Sequence, residues 1–151
     1  MAMSDRPQPV EPSTEELGIL HSAIRHAQLC GVRFSPKVVE IYWVAQPLTA
    51  RGYPVQGVTY ALERPLHVYL TRGLPSDVLF RVCLHELSHC WDAVCLRELS
   101  HRWDLPGLAY DEGERRAERF VAFAMAPLDA LSRGEVPQFP LPQWEKYRSD
   151  V

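Results

Sequence analysis

The stretch Val78-Leu79-Phe80-Arg81-Val82-Cys83-Leu84-His85-Glu86-Leu87-Ser88-His89-Cys90-Trp91 decides how the rest of the chain is read. At about 100° per residue, a helix with His85 at zero carries His89 at about 40° and Glu86 at about 100°. Leu79, Cys83, Leu84, Leu87, Trp91 and Val94 then fill an arc of roughly 120–260°, while Val78 and Val82 share the histidine side. Such a helix buries one broad face and offers both imidazoles from the other. Two histidines one turn apart bind one Zn²⁺ through ring nitrogens at about 2.0–2.1 Å. Glu86, adjacent but rotated, is placed to reach a water on the metal and not the metal itself.

Outward from this helix, the preceding chain reads as a short sheet. Val38 to Ala45 is β-branched and aromatic, and Val58–Leu62 and Leu66–Leu70 are two further short strands separated by Pro65. Arg51-Gly52-Tyr53-Pro54 is turn chemistry, and Gly73-Leu74-Pro75 closes the sheet region before Ser76 or Asp77 caps the motif helix. Earlier still, Ser13 and Glu16 form a capping box. It predicts a helix from Thr14 to Leu29 stopped by Gly31, with Leu17, Leu20, Ile24 and Ala27 as its apolar stripe. The fold class expected is α+β: an N-terminal helix, a three-stranded twisted sheet, the H-E-x-x-H helix and one more helix.

That last helix is expected to start near Asp111 or Glu112 and to end before Pro127. It carries the candidate third ligand. A catalytic zinc takes three protein ligands and keeps a position open. Glu114 and Glu118 are four apart and share a face, so Glu114 can ligate while Glu118 accepts the second-ring N–H of a ligand histidine. His101 is the rival third ligand. On an unbroken helix it stands at about 160° and about 18 Å along the axis from His89, out of reach without a chain reversal. A histidine six residues after the second ligand, as metzincins have, is absent, because Cys95 holds that position.

His85-Glu86-Leu87-Ser88-His89, followed by Glu114-x-x-Ala117-Glu118-x-Phe120-x-Ala122 and Met125-Ala126-Pro127, resembles the ImmA/IrrE family of bacterial metallopeptidases. The likeness covers roughly residues 80–127; for the sheet before it, only the architecture is similar. It implies a zincin-like fold with a gluzincin site, in which His85, His89 and Glu114 hold one Zn²⁺ per chain and Glu86 is the general base. Two positions depart from the family pattern: Glu118 stands where an Asn is usual, and Ser88 where a Gly is usual. The implied substrate is a protein or peptide, most plainly a cytoplasmic regulatory protein. Tyr110, His101 and Arg102, between the two helices, are candidate oxyanion donors. Leu66–Leu70 is a candidate edge strand for an extended substrate. The alternative function is a zinc-stabilised protein-binding module without proteolytic activity, but the presence of Glu86 favours catalysis.

Composition narrows the field. The chain has 151 residues, 46% of them hydrophobic, enough for one core, and a formal charge of −3. That balance argues against direct nucleic-acid binding or a polybasic membrane module, and no run of about 18 apolar residues suggests a membrane span. Met1–Pro12, with Asp5, Arg6, Glu11 and three prolines, does not read as a signal peptide. Cys30, Cys83, Cys90 and Cys95 make no C-x-x-C pair and read as buried thiols of a cytoplasmic protein. His21, His26 and His67 read as solvated or structural. Residues 13–135 are taken as the domain, with 1–12 a flexible tail and 136–151 a Pro-rich tail unless Trp144 and Tyr147 dock it. Glu86–Asp92 recurs as the similar segment Glu98–Asp104, a local echo too short in period for a solenoid.

Overall fold

The computed structural model describes residues 6–45, 47–50, 52–96 and 108–144. Among these residues, three α-helices and two small sheets make an α+β architecture. Helix α1 runs Thr14–Leu29, and both arms of its capping box are formed: the Ser13 side chain accepts from Glu16 N, and Glu16 accepts from Ser13 N. Leu20, Ala23 and Ala27 are its buried face; Leu17, expected in the stripe, is largely exposed and Ala23 takes the place beneath the core. Cys30 caps the helix and Gly31 follows at φ 97°, the left-handed turn that stops it.

The chain then builds β1 (Val39–Val44), β2 (Leu48–Ala50), β3 (Tyr53–Val55), β4 (Gly57–Tyr60) and β5 (Leu66–Thr71). The main sheet has the order β1-β5-β4, with β1 parallel and β4 antiparallel to β5. Leu66–Leu70 is therefore central and not an edge. Its neighbours occupy both sides, and β4 is the strand that ends the sheet towards the site. Alternation sends Leu66, Val68 and Leu70 to the helix side, with Ile41 and Trp43 of β1. On the opposite face Val44, Leu48 and Tyr69 form a second small cluster. Of the expected turn, Tyr53 and Pro54 lie in β3 of a separate β2–β3 hairpin, with Pro54 opposite Thr49.

Helix α2 spans Ser76–Trp91, starting at Ser76 with Pro75 as its cap residue and no side-chain cap bond. Neither Ser76 nor Asp77 caps it, because both already lie in its first turn. Leu79, Cys83, Leu84, Leu87 and Trp91 are buried against α1 and β5, the face expected from the pattern. A π-turn follows over Asp92–Leu96. Helix α3 spans Leu108–Ser132 and passes through Pro127. Proline lacks an N–H and crowds the preceding turn, which ordinarily ends a helix. Here His26 of α1 donates from Nε2 to the Ala124 carbonyl at 2.6 Å, partnering a carbonyl in the turn that Pro127 disturbs.

Both presumed tails are docked where they are described. Val10 bridges to Trp43, and the Arg6 guanidinium pairs with Glu63 while lying 3.5 Å over the Tyr60 ring. At the other end Leu141 and Trp144 are buried, and Trp144 packs on Phe120 and Phe123 of α3. Trp144 N donates to the Cys30 carbonyl at 2.7 Å and Gln143 Nε2 to the Leu29 carbonyl at 2.9 Å, so this segment satisfies the open end of α1. A side chain at Gly31 would stand 3.0 Å from Gln143 Oε1, a second reason for glycine there. Tyr147 and the segment Glu98–Asp104 lie outside the described residues. No helix among the described residues is long and apolar enough to cross a membrane.

Candidate metal centre

His85 and His89 project from one side of α2, and Glu114 meets them from the second turn of α3. The three donor positions form a tight triangle. His85 Nε2 is 3.2 Å from His89 Nε2 and 3.2 Å from Glu114 Oε1, and His89 Nε2 is 2.9 Å from Glu114 Oε2. These three residues form a group that could hold a metal ion, their ligand atoms all within 4.8 Å of one another. The helices are locked at this crossing by a buried ion pair: Arg116 donates from Nε and an Nη to the two oxygens of Asp92 at 3.0 Å each. Since Arg116 lies two positions beyond Glu114, the pair sets where Glu114 arrives.

Charge distribution favours an ionised ligand set. Burial alone would raise the Glu114 pKa, but the bonds to His85 and His89 outweigh it and hold the carboxyl well below the usual carboxylate range. Burial works to lower the His85 pKa, yet the bond to Glu114 and the charges of Glu86, Glu114 and Glu118 raise it overall. A cation arriving here meets the Glu114 carboxylate, which the two imidazoles favour in its ionised form. The thiols are unsuited to compete: Cys30, Cys83 and Cys90 are buried and free, and burial pushes Cys30 up to about 11 and Cys83 up to about 12.

Glu86 is buried on the neighbouring arc of α2, and its Oε1 accepts from the Thr59 hydroxyl at 2.7 Å. Its carboxyl, the three donor groups and Glu118 line one cleft of about 840 Å³. The walls come from the β2–β3 hairpin, β4, α2 and α3, and include Ala50, Pro54, Val55, Val58, Val82 and Val121. Arg81, one turn before His85, brings a cation to the same cleft. Among the described residues β4 pairs with β5 alone, so its outer edge is open beside this space.

The sequence-expected set is therefore brought together in its main part: His85, Glu86, His89 and Glu114 face one cleft. Glu118 lines that cleft but makes no hydrogen bond to either imidazole among the described residues; it acts on His85 through its charge. Its side chain is exposed one turn further along α3, and the second ring nitrogen of His89, Nδ1, is buried without a hydrogen bond to Glu118. His101, Arg102 and the side chain of Tyr110 lie outside the described residues. His26 and His67 have structural partners, Ala124 and the carboxylates of Glu40 and Glu63 respectively. Sequence reading missed Gly57 and Thr59. The strand was expected to begin at Val58, so Gly57 fell outside it; once β4 starts at Gly57, the residue two places on faces the same way and the glycine marks a close approach.

Compared with protein-family models, curated proteins and solved structures, the chain finds no match in any of the three.

Proposed function

We propose that this chain is a zinc-dependent metallopeptidase with a gluzincin site in a zincin-like fold, resembling the ImmA/IrrE family, and that it hydrolyses a peptide bond in a protein or peptide. One observation carries the reading: the donor triangle of 3.2, 3.2 and 2.9 Å opens on the cleft that also holds a buried glutamate. Ligands at about 2.0–2.1 Å around a tetrahedral zinc stand about 3.3 Å apart, so a set of two nitrogens and a carboxylate fits that ion in size and chemistry.

Zinc, when bound, supplies Lewis acidity towards water and a peptide carbonyl. The remaining work belongs to the chain. Glu86, with Oε1 engaged by Thr59, has Oε2 to accept the proton of the attacking water and to return it to the leaving amine. The open edge of β4 can take an extended peptide by strand addition, and the apolar walls shield the bond from bulk water. A cytoplasmic regulatory protein is the substrate class that the family resemblance favours.

The test is cleavage of a labelled unfolded casein, with and without a chelator, by the wild type and by Glu86→Gln. The expected result is chelator-sensitive cleavage by the wild type, with Glu86→Gln slower by roughly 10²–10⁴-fold and its zinc intact. Equal behaviour of the two proteins would sink the enzyme and leave a zinc-stabilised binding module.

A further inference from the structure

Glu86 is only 5% exposed, and a buried carboxylate needs partners to hold it. They come from alternate positions of β4. Thr59 donates its hydroxyl to Glu86 Oε1 at 2.7 Å. Gly57, facing the same way, leaves the space the rest of the side chain occupies. A Cβ at Gly57 would stand 2.9 Å from Glu86 Oε2, 3.0 Å from Glu86 Cγ and 3.0 Å from Val82 Cγ1, all inside ordinary contact distance. Val82 lies one turn before Glu86 and is β-branched, with little rotamer freedom to give way. Strand and helix thus enclose Glu86 between one donor and one missing side chain.

We propose that Thr59 and Gly57 form a seat that fixes the Glu86 carboxylate in the orientation it uses, Thr59 acting as a positioning residue and Gly57 as the space it requires. The consequence for catalysis rests on the metallopeptidase reading; the seat itself rests on β4 and α2 alone. A glutamate side chain has several freely turning bonds, and holding a general base in place removes that search from the chemical step. The strand that seats the base is also the strand whose outer edge borders the cleft. Base and substrate backbone are then referred to one rigid element.

Thr59→Val keeps the shape and removes the donor, Thr59→Ser keeps the donor, and Gly57→Ala fills the space. Each is compared with the wild type for zinc per chain, for kcat and KM on labelled casein, and for the orientation of Glu86 in a crystal structure. With the seat as described, zinc content is unchanged in all three. Thr59→Val and Gly57→Ala lose roughly 10–100-fold in kcat with KM within about twofold, and Thr59→Ser keeps most of the rate. Thr59→Val at wild-type rate, or Thr59→Ser as slow as Thr59→Val, overturns the proposal. If the wild type itself shows no chelator-sensitive cleavage, the metallopeptidase reading fails and the crystal structures decide the seat. Glu86 displaced or spread in Thr59→Val and Gly57→Ala, and single in Thr59→Ser, upholds it. An unchanged Glu86 in Thr59→Val overturns it.

Discussion

Arg116 of α3 grips Asp92 at the end of α2 through two bonds of 3.0 Å, with Asp92 wholly buried and Arg116 nearly so. Parallel bonds between guanidinium and carboxylate fix direction as well as distance. The pair lies beside the donor triangle in both helices: Asp92 follows His89 by three residues and Arg116 follows Glu114 by two. It acts as the bolt that sets the crossing of α2 and α3.

Removing one partner leaves a buried charge alone, which costs roughly 3–5 kcal/mol. Arg116→Met is therefore expected to destabilise the fold by that order in chemical denaturation and to weaken metal binding in a competition titration. Replacing both residues, Asp92→Leu with Arg116→Met, should recover much of the stability and less of the metal affinity, because packing returns without the directional bonds. A single variant as stable as the wild type would show that the pair does not hold the crossing.

Metal content separates the ligand set from the other histidines. His89→Ala and Glu114→Ala each remove one corner of the triangle and are expected to lose most bound zinc after dialysis. His67→Ala, whose ring is engaged with Glu40 and Glu63 on the other face of the sheet, should retain about one ion per chain. Zinc should also raise the melting temperature of the wild type and not of Glu114→Ala, since a ligand bound only by the native state stabilises it. Full zinc in His89→Ala would remove the site.

Trp144 is expected to behave as a core residue. Its ring packs 5.4 Å from Phe120 and 5.3 Å from Phe123, and its backbone N–H closes the end of α1. Trp144→Ala should cost about 3–5 kcal/mol, as large aromatic truncations in cores do. Truncation after Gly134 should cost at least as much. Loss below about 1 kcal/mol would return residues 135–144 to the status of a tail.

How much of this was legible follows from how local each signal is. The capping box of α1, the buried face of α2 and the shared side of His85 and His89 rest on spacings within one helix, where the period of 3.6 speaks directly; the approach of Glu114 joins two helices, and in the sequence it was a candidate only. The place of β5 rests on its neighbours. Its nearly unbroken burial, with Tyr69 covered on the second face, is the mark of a central strand, and that burial comes only with the neighbours in place. The β2–β3 hairpin escaped because its strands are three residues long and one contains Pro54, tolerable only where a strand pairs on one side. Around Pro127 of α3, His26 donates to the Ala124 carbonyl, and the N-terminal segment docks where Arg6 meets Glu63 and Tyr60. Contacts 54 to 98 residues apart leave no trace in a local pattern.

The same distinction between local and distant partners gives the last prediction, on pH. Glu16 was visible as half of a capping box, but its carboxylate does more. Oε1 accepts from Ser13 N at 2.9 Å and Arg72 Nε at 2.8 Å, and Oε2 from Gly73 N at 2.8 Å, tying α1 to the end of β5. Burial alone would raise its pKa; the bonds from Ser13, Gly73 and Arg72 prevail and hold it at about 2, against 4.5 for the free group. A carboxyl depressed in the native state stabilises it fully above the unfolded value, and that stability is lost as pH falls through the folded one. Wild type should therefore lose on the order of 2–3 kcal/mol through this group between about pH 5 and pH 2. Glu16→Gln cannot ionise, so it should be less stable than wild type at pH 7 by a similar order. The gap should narrow steadily as acid is added. Denaturation of both proteins at a series of pH values reads this difference directly, and a gap that stays constant down to pH 2 would show that the charge of Glu16 contributes nothing to the join.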